Sequence, residues 1–184
     1  MGKSSAVCLR IALPCIAAVL VSVQVSAATF TVVSTASAGA GTLREAIESS
    51  NGNGEPDTIN FSLAPGAVVQ PDAALPLLSE GDTTIDGGGA VTLSGALLSA
   101  GEIGLMVASP GNSIAGLTIV HFPGDGIAIG GATATGNTVR GCFIGNDGAT
   151  ALGNGRDGIR LSKGASDNII GGITPADRNI ISGN

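Results

Sequence analysis

The sequence predicts an all-β chain wound as a stacked solenoid, and three observations carry that expectation. The pattern G-N-T-V-R-G-C-F-I-G at Gly136 to Gly145 returns as D-N-I-I-G-G at Asp167 to Gly172 and as R-N-I-I-S-G-N at Arg178 to Asn184. An Asn or Gly turn, a short β-branched strand and another Gly, repeated, is the unit of a coil that buries its apolar side only against its neighbours. After Asp57 no window has helical periodicity. Short apolar segments such as Thr58-Ile59-Asn60-Phe61, Thr83-Thr84-Ile85, Val91-Thr92-Leu93 and Leu105-Met106-Val107 stand between Gly, Asn, Asp and Pro breaks. The third observation is the period. Asn112 to Asn137 spans 25 residues, Asn137 to Asn168 spans 31, and Asp125-Gly126-Ile127 recurs 32 residues later as Asp157-Gly158-Ile159. The extra residues fall in the Gly-rich stretch Asn146 to Arg156, which reads as a loop pushed out between two coils.

Residues 1–27 are expected to be a secretory signal: Lys3 and Arg10 form a positive start, Ile11 to Val25 is mostly apolar, and Val25-Ser26-Ala27 supplies small residues for cleavage. Pro14 and Gln24 interrupt the apolar run, so it does not read as a membrane span. Pro14 beside Cys15 and Ala6 at the sixth position fit neither a lipoprotein site nor a myristoylation signal. Residues 28–57 read as an N-terminal cap. Thr29 to Ser34 alternates like a strand, and Thr42-Leu43-Arg44-Glu45-Ala46-Ile47-Glu48 reads as a helix. Thr42 suits the N-cap, Glu45 completes a capping box, and Leu43, Ala46 and Ile47 share a face. Such a helix over the first coil covers the otherwise open end of a solenoid. Residues 58–184 are the coils, with Ile127, Val139, Ile144, Ile159 and Ile170 expected to point into the core. The chain stops at Gly183-Asn184 in mid-coil with no C-terminal cap, so the expectation is a truncated solenoid.

Composition excludes some functions. Removing residues 1–27 loses two basic residues and no acid, taking the net charge from −6 to −8. An acidic surface with four Phe and no Trp or Tyr does not suit nucleic acid, which needs basic runs and stacking platforms. Of three cysteines only Cys142 lies beyond the signal, so no internal disulfide forms, and Cys142 reads as a small buried hydrophobe. His121 is the only histidine, which removes His-based metal sites and Cys/His pairs, and it reads as a turn residue beside Phe122-Pro123. No G-x-S-x-G elbow is present. Asn60-Phe61-Ser62 matches a glycosylation sequon but falls in a predicted strand.

Stacking at about 4.8 Å places equivalent residues of successive coils above one another. Asn137 and Asn168 should then be stacked amides. Asp125 and Asp157 should be stacked carboxylates, roughly 5 Å apart on one edge, a spacing compatible with Ca²⁺ or with a glycosidase pair. Asp before Gly is also ordinary turn chemistry. Alternation turns Ile159 inward and Arg160 outward beside that edge, and Arg140, Arg156, Arg160 and Lys163 are the cations available as a lyase base.

T-F-T-V-V-S-T-A, then G-T-L-R-E-A-I-E-S-S-N, then P-D-T-I-N-F resembles the N-terminal cap of bacterial secreted right-handed parallel β-helix proteins, often recognised by an S-L-R-E-A-like signature. C-F-I-G-N-D-G-A-T-A-L-G-N-G-R-D-G-I and D-R-N-I-I-S-G-N are similar to repeats of the same pectate-lyase-like superfamily. The resemblance implies the right-handed fold over residues 29–184 and leaves activity open, since that superfamily includes lyases, glycoside hydrolases and adhesins. Cys142 stands where relatives commonly place Asn, which would interrupt an Asn ladder. Two functions of different kinds follow. One is a non-enzymatic secreted or cell-surface module, extracellular, outer-membrane associated or periplasmic, whose faces and Asn146 to Arg156 loop meet a polysaccharide or a cell-surface protein. The other is a polysaccharide-active enzyme, a Ca²⁺-assisted lyase or a glycosidase, using Asp125, Asp157 and Arg160. The scarcity of aromatics weighs more against an enzyme that must grip a sugar chain in register, so the module is preferred.

Overall fold

The computed structural model describes residues 26–184; the expected signal segment, apart from Ser26 and Ala27, lies outside the described residues. Every strand pairing in the three stacks is parallel, and the strands follow one another as a β-solenoid of about four turns. The all-β parallel β-helix expected from the repeats is the observed fold. The first stack runs β1 (Thr29–Val32), β2 (Asp57–Phe61), then the first half of β4 (Thr83–Ser94), the first half of β6 (Ser113–Val120), β8 (Thr138–Arg140) and β11 (Ile169–Ile170). The second stack contains β3 (Val68–Val69), the second halves of β4 and β6, β9 (Phe143–Ile144) and β12 (Ile180–Ile181). The third is β5 (Leu105–Val107), β7 (Ile127–Gly130) and β10 (Ile159–Ser162).

Two apolar segments that the sequence shows as separate, Thr83-Thr84-Ile85 and Val91-Thr92-Leu93, belong to one strand that serves two faces. The register with β6 shifts between Asp86 and Val91, so the strand turns a corner without breaking. Gly116 makes the same corner in β6 at φ +61°, and a Cβ there would sit 2.8 Å from the Gly89 nitrogen. Only glycine satisfies both the left-handed backbone and the close approach of the coil below.

The core is a set of vertical aliphatic columns. Ile59, Ile85, Ile114 and Val139 stack in register in the first, Val69, Leu93, Ile119 and Ile144 in the second, and Leu105 and Ile127 in the third. All are buried. Each contributes about 1.5–3 kcal/mol by leaving water. Of the five expected core residues, Ile127, Val139 and Ile144 are fully buried. Ile159 is only partly buried against the core, and Ile170 is 40% exposed. Both continue their columns, over Ile127 and Val139 respectively, but among the described residues they are covered from one side only, so inward direction there does not produce burial.

The helix α1 (Leu43–Ser50) packs Leu43, Ala46 and Ile47 into the core beside β1 and β2. Thr42 is its N-cap and accepts from the Glu45 N–H at 3.3 Å. The Glu45 carboxylate accepts from Gly41 N–H rather than from the cap residue itself, one position off the expected box. Among the described residues no helix is long and apolar enough to cross a membrane.

Asn side chains mark the corners. Before the first stack, Asn137 Oδ1 accepts from Asn112 N–H at 2.8 Å and from its amide at 2.9 Å, and Asn168 repeats both bonds to Asn137 at 2.9 Å each. Asn112 in turn takes Thr83 N–H, and Asp57 takes Ala28 N–H. The side chain of each coil thus satisfies a backbone donor of the coil before it, which a buried turn requires. Cys142 lies in a different column, in register with Leu117 and beneath Asn179, which accepts its N–H at 2.9 Å. A third column has Asn154 accepting from Phe122 N–H, and Asn184 accepting from the Asn154 amide at 2.8 Å.

Candidate functional site

The solenoid brings Asp125 and Asp157 into successive coils, with Gly126 N–H donating to the Asp157 carbonyl at 2.9 Å. Their carboxylates nevertheless occupy different environments. Asp125 is fully buried, whereas Asp157 is exposed. Asp125 Oδ1 accepts from Asp157 N–H at 3.2 Å, and Arg160 Nε lies 2.7 Å from Oδ2, with Arg156 Nε 3.9 Å from Oδ1. The close pair is a charge contact without an aligned N–H bond, since neither atom has a hydrogen-bond partner of good geometry. Arg160 springs from the outward side of β10, opposite Ala128 in β7, and that methyl leaves room for its stem to fold back onto the aspartate. The expected pair of equivalent carboxylates is therefore one buried anion held by a half-exposed arginine and one solvated turn residue. Among the described residues no three His, Cys, Asp or Glu side chains gather as metal ligands.

A second acidic site was not legible in the sequence. Where the first stack bends into the second, an open cleft of about 400 Å³ is lined by Asp86, Gly88, Gly116, Arg140, Gly141 and Asp177. Arg140 Nη1 stands 3.6 Å from Asp177 Oδ1. The hydroxyl and N–H of Thr174 hold the Asp177 carboxyl below the usual aspartate range, with Arg140 adding to the effect. Asp86 Oδ1 accepts from Gly88 N–H at 2.9 Å. These three charged residues sit at unrelated offsets, and the coil register alone assembles them; the only local signals are an Asp-Gly-Gly turn and a Thr-Pro-Ala-Asp cap.

The Asn146 to Arg156 insertion forms a compact projection. Asn146 and Ala151 make an antiparallel bridge, Leu152 N–H returns to Gly145 O at 2.8 Å, and Leu152 O accepts from His121 N–H at 3.2 Å. His121 is exposed, with φ +58°, a turn conformation that His tolerates better than most residues. Against the outer face of the second stack the projection borders a half-open cavity of about 280 Å³, with Thr92, Ser94, Thr118, His121 and Asp147 on its walls. Asp147 Oδ1 accepts from Ala149 N–H at 2.9 Å and Thr150 N–H at 2.6 Å. Those two bonds lower its pKa below the usual value, Thr150 contributing most.

Cys142 is 1% exposed, and burial raises its thiol pKa. Its Sγ lies 3.3 Å from the Arg140 carbonyl. An inert thiol at a packed corner is the result. Asn60 lies within β2 with its Oδ1 buried, a poor acceptor for a glycan. No protein-family profile, no curated protein and no solved structure matches this chain.

Proposed function

We propose that the chain is a secreted or cell-surface β-helix module, adhesin-like and non-enzymatic, that meets an extracellular glycan or protein partner through its Asn146 to Arg156 projection. The observation that carries this reading is the cavity the projection forms over the second stack, where hydroxyls and one anchored carboxylate line apolar walls. Loops on a rigid scaffold are where binding residues concentrate. The composition of residues 1–27 supports export, and the resemblance to bacterial pectate-lyase-like solenoids supports an extracellular setting. The test is a glycan array and a cell-surface pull-down with the secreted chain and a variant in which Asp147 to Thr150 is shortened to Gly-Gly. Retained binding by the shortened form would reject the projection as the contact surface.

A second reading, a polysaccharide lyase or glycosidase, draws support from the cleft that joins Asp86, Arg140 and Asp177. An arginine between two carboxylates is suited to proton transfer beside a uronate or to glycosidic acid–base chemistry. Under the module reading, polygalacturonate incubated with the protein and millimolar calcium yields neither unsaturated ends nor new reducing ends. Turnover abolished by Arg140→Ala would establish the enzyme instead.

A further inference from the structure

The cavity beneath the projection carries a sharper conclusion, which rests on the module reading. Val68, Thr92 and Thr118 form one outward column of the second stack, from β3, β4 and β6, and Ser94 and Val120 form the next. Outward residues of a solenoid face are ordinarily solvated, yet Ser94 is 5% and Val120 1% exposed. Among the described residues no protein group hydrogen-bonds the hydroxyls of Thr92, Ser94 or Thr118, and the Ser94 hydroxyl keeps accessible surface toward the cavity although its residue is largely covered. Three unengaged hydroxyls thus converge on a space that the projection roofs with Leu152 and flanks with His121 and Asp147.

The lining also selects against most ligands. No Lys or Arg is present, and its one fixed anion is Asp147, whose carboxyl is kept deprotonated by the Ala149 and Thr150 N–H groups at Oδ1. Oδ2 is left to accept hydrogen bonds from a ligand. A uronate or sulfate would meet the like charge of Asp147 with no Lys or Arg to offset it and only the exposed His121 imidazole nearby. A hydroxylated neutral ring suits the site: its O–H groups donate to Asp147 and exchange bonds with the threonines and serine, while Val68, Val120 and Leu152 meet its C–H face. The volume, about 280 Å³, falls just under the range of about 300–1,000 Å³ usual for drug-sized ligands, so the site has room for one ring. We infer that this cavity binds a single neutral sugar unit of a glycan and discriminates against acidic sugars.

Amide shift titration with methyl glucoside, methyl galactoside, N-acetylglucosamine and sodium galacturonate tests this on the whole secreted chain. At least one neutral probe is expected to shift the amides of Thr92, Ser94, Thr118, Ala149 and Thr150 in a saturable way, with galacturonate silent. Asp147→Asn, which keeps an oxygen for the turn, and the near-isosteric Thr118→Val should each weaken binding about tenfold. Thr84→Val on the first stack should leave it unchanged. Galacturonate shifting the same amides as strongly, or no probe shifting them, overturns the inference. The glycan array separates the two readings. Array binding insensitive to Asp147→Asn and Thr118→Val sinks the neutral-sugar cavity and leaves the module, whereas a blank array together with silent titrations sinks both.

Discussion

At the residue scale, stability is concentrated in side chains that satisfy the backbone of an adjacent coil. Asn137 is 1% exposed and serves two donors of Asn112 while donating to Asn168. Asn137→Ala strands the Asn112 N–H in the interior, and we expect a loss of about 2–4 kcal/mol in denaturant unfolding; a loss within the usual range of a surface substitution would contradict that role. Asp125 presents the other case. Its carboxylate is fully buried, and Arg160 is its nearest cation. Arg160→Ala leaves a buried charge facing only the more distant Arg156 and should cost roughly 2–4 kcal/mol. Adding Asp125→Asn should recover most of that loss, because the charge that needed a partner is gone. Equal stability of the single and double variants would show that the pair carries no coupling.

At the element scale, turns rather than strands decide what each coil presents. The strands are short and interchangeable in pattern, and their side chains fall into columns wherever the register puts them. The 3₁₀ turn at Pro175–Asp177 shows how a turn sets chemistry: Thr174 Oγ1 donates to Asp177 Oδ2 at 2.6 Å, and its N–H donates to the same oxygen at 3.1 Å. Both bonds favour the carboxylate, so the native pKa lies below the ordinary aspartate value of 3.8. The turn's contribution is complete above that value and disappears as pH falls through the lower native pKa. Thr174→Ala removes the largest of these effects. NMR titration of the Asp177 side chain should therefore find its midpoint moved up toward 3.8, and an unchanged midpoint would assign the shift to the Thr174 N–H and Arg140 instead.

At the scale of the whole molecule, the two ends differ. The α1 helix seals the first coil, while Leu161, Ile170 and Ile181 in the last strands are 44%, 40% and 44% exposed although each continues an inward column. Asn168, Asn179 and Asn184 accept from the coil before them and donate their side-chain amides back to it, but among the described residues nothing accepts from their backbone N–H groups. A repeat protein is stabilised largely by nearest-neighbour interfaces, and β10, β11 and β12 each pair with a described strand on one side. Hydrogen exchange should find the slowest amides between Ile59 and Val139, where the columns are buried, and faster exchange from Ile169 onward, where the strand residues are exposed. Uniform protection to the last strand in a monomer would count against this.

The sequence by itself determined the repeat length, the helix and its cap, the parallel stacking, and the pairing of Asn137 with Asn168 and of Asp125-Gly126-Ile127 with Asp157-Gly158-Ile159. These follow from local chemistry, because turn residues at fixed spacing set the register. Tertiary structure alone decided everything that depends on what lies above, below or across a corner. It made Asp125 a buried anion and Asp157 a solvated one, left Ile170 inward yet uncovered, and gathered Asp86, Arg140 and Asp177 into one cleft. It also folded the insertion back so that His121, Asp147 and Thr118 share a cavity. Burial and charge are properties of the stacked assembly, and a one-dimensional pattern records the direction of a side chain but not what meets it there.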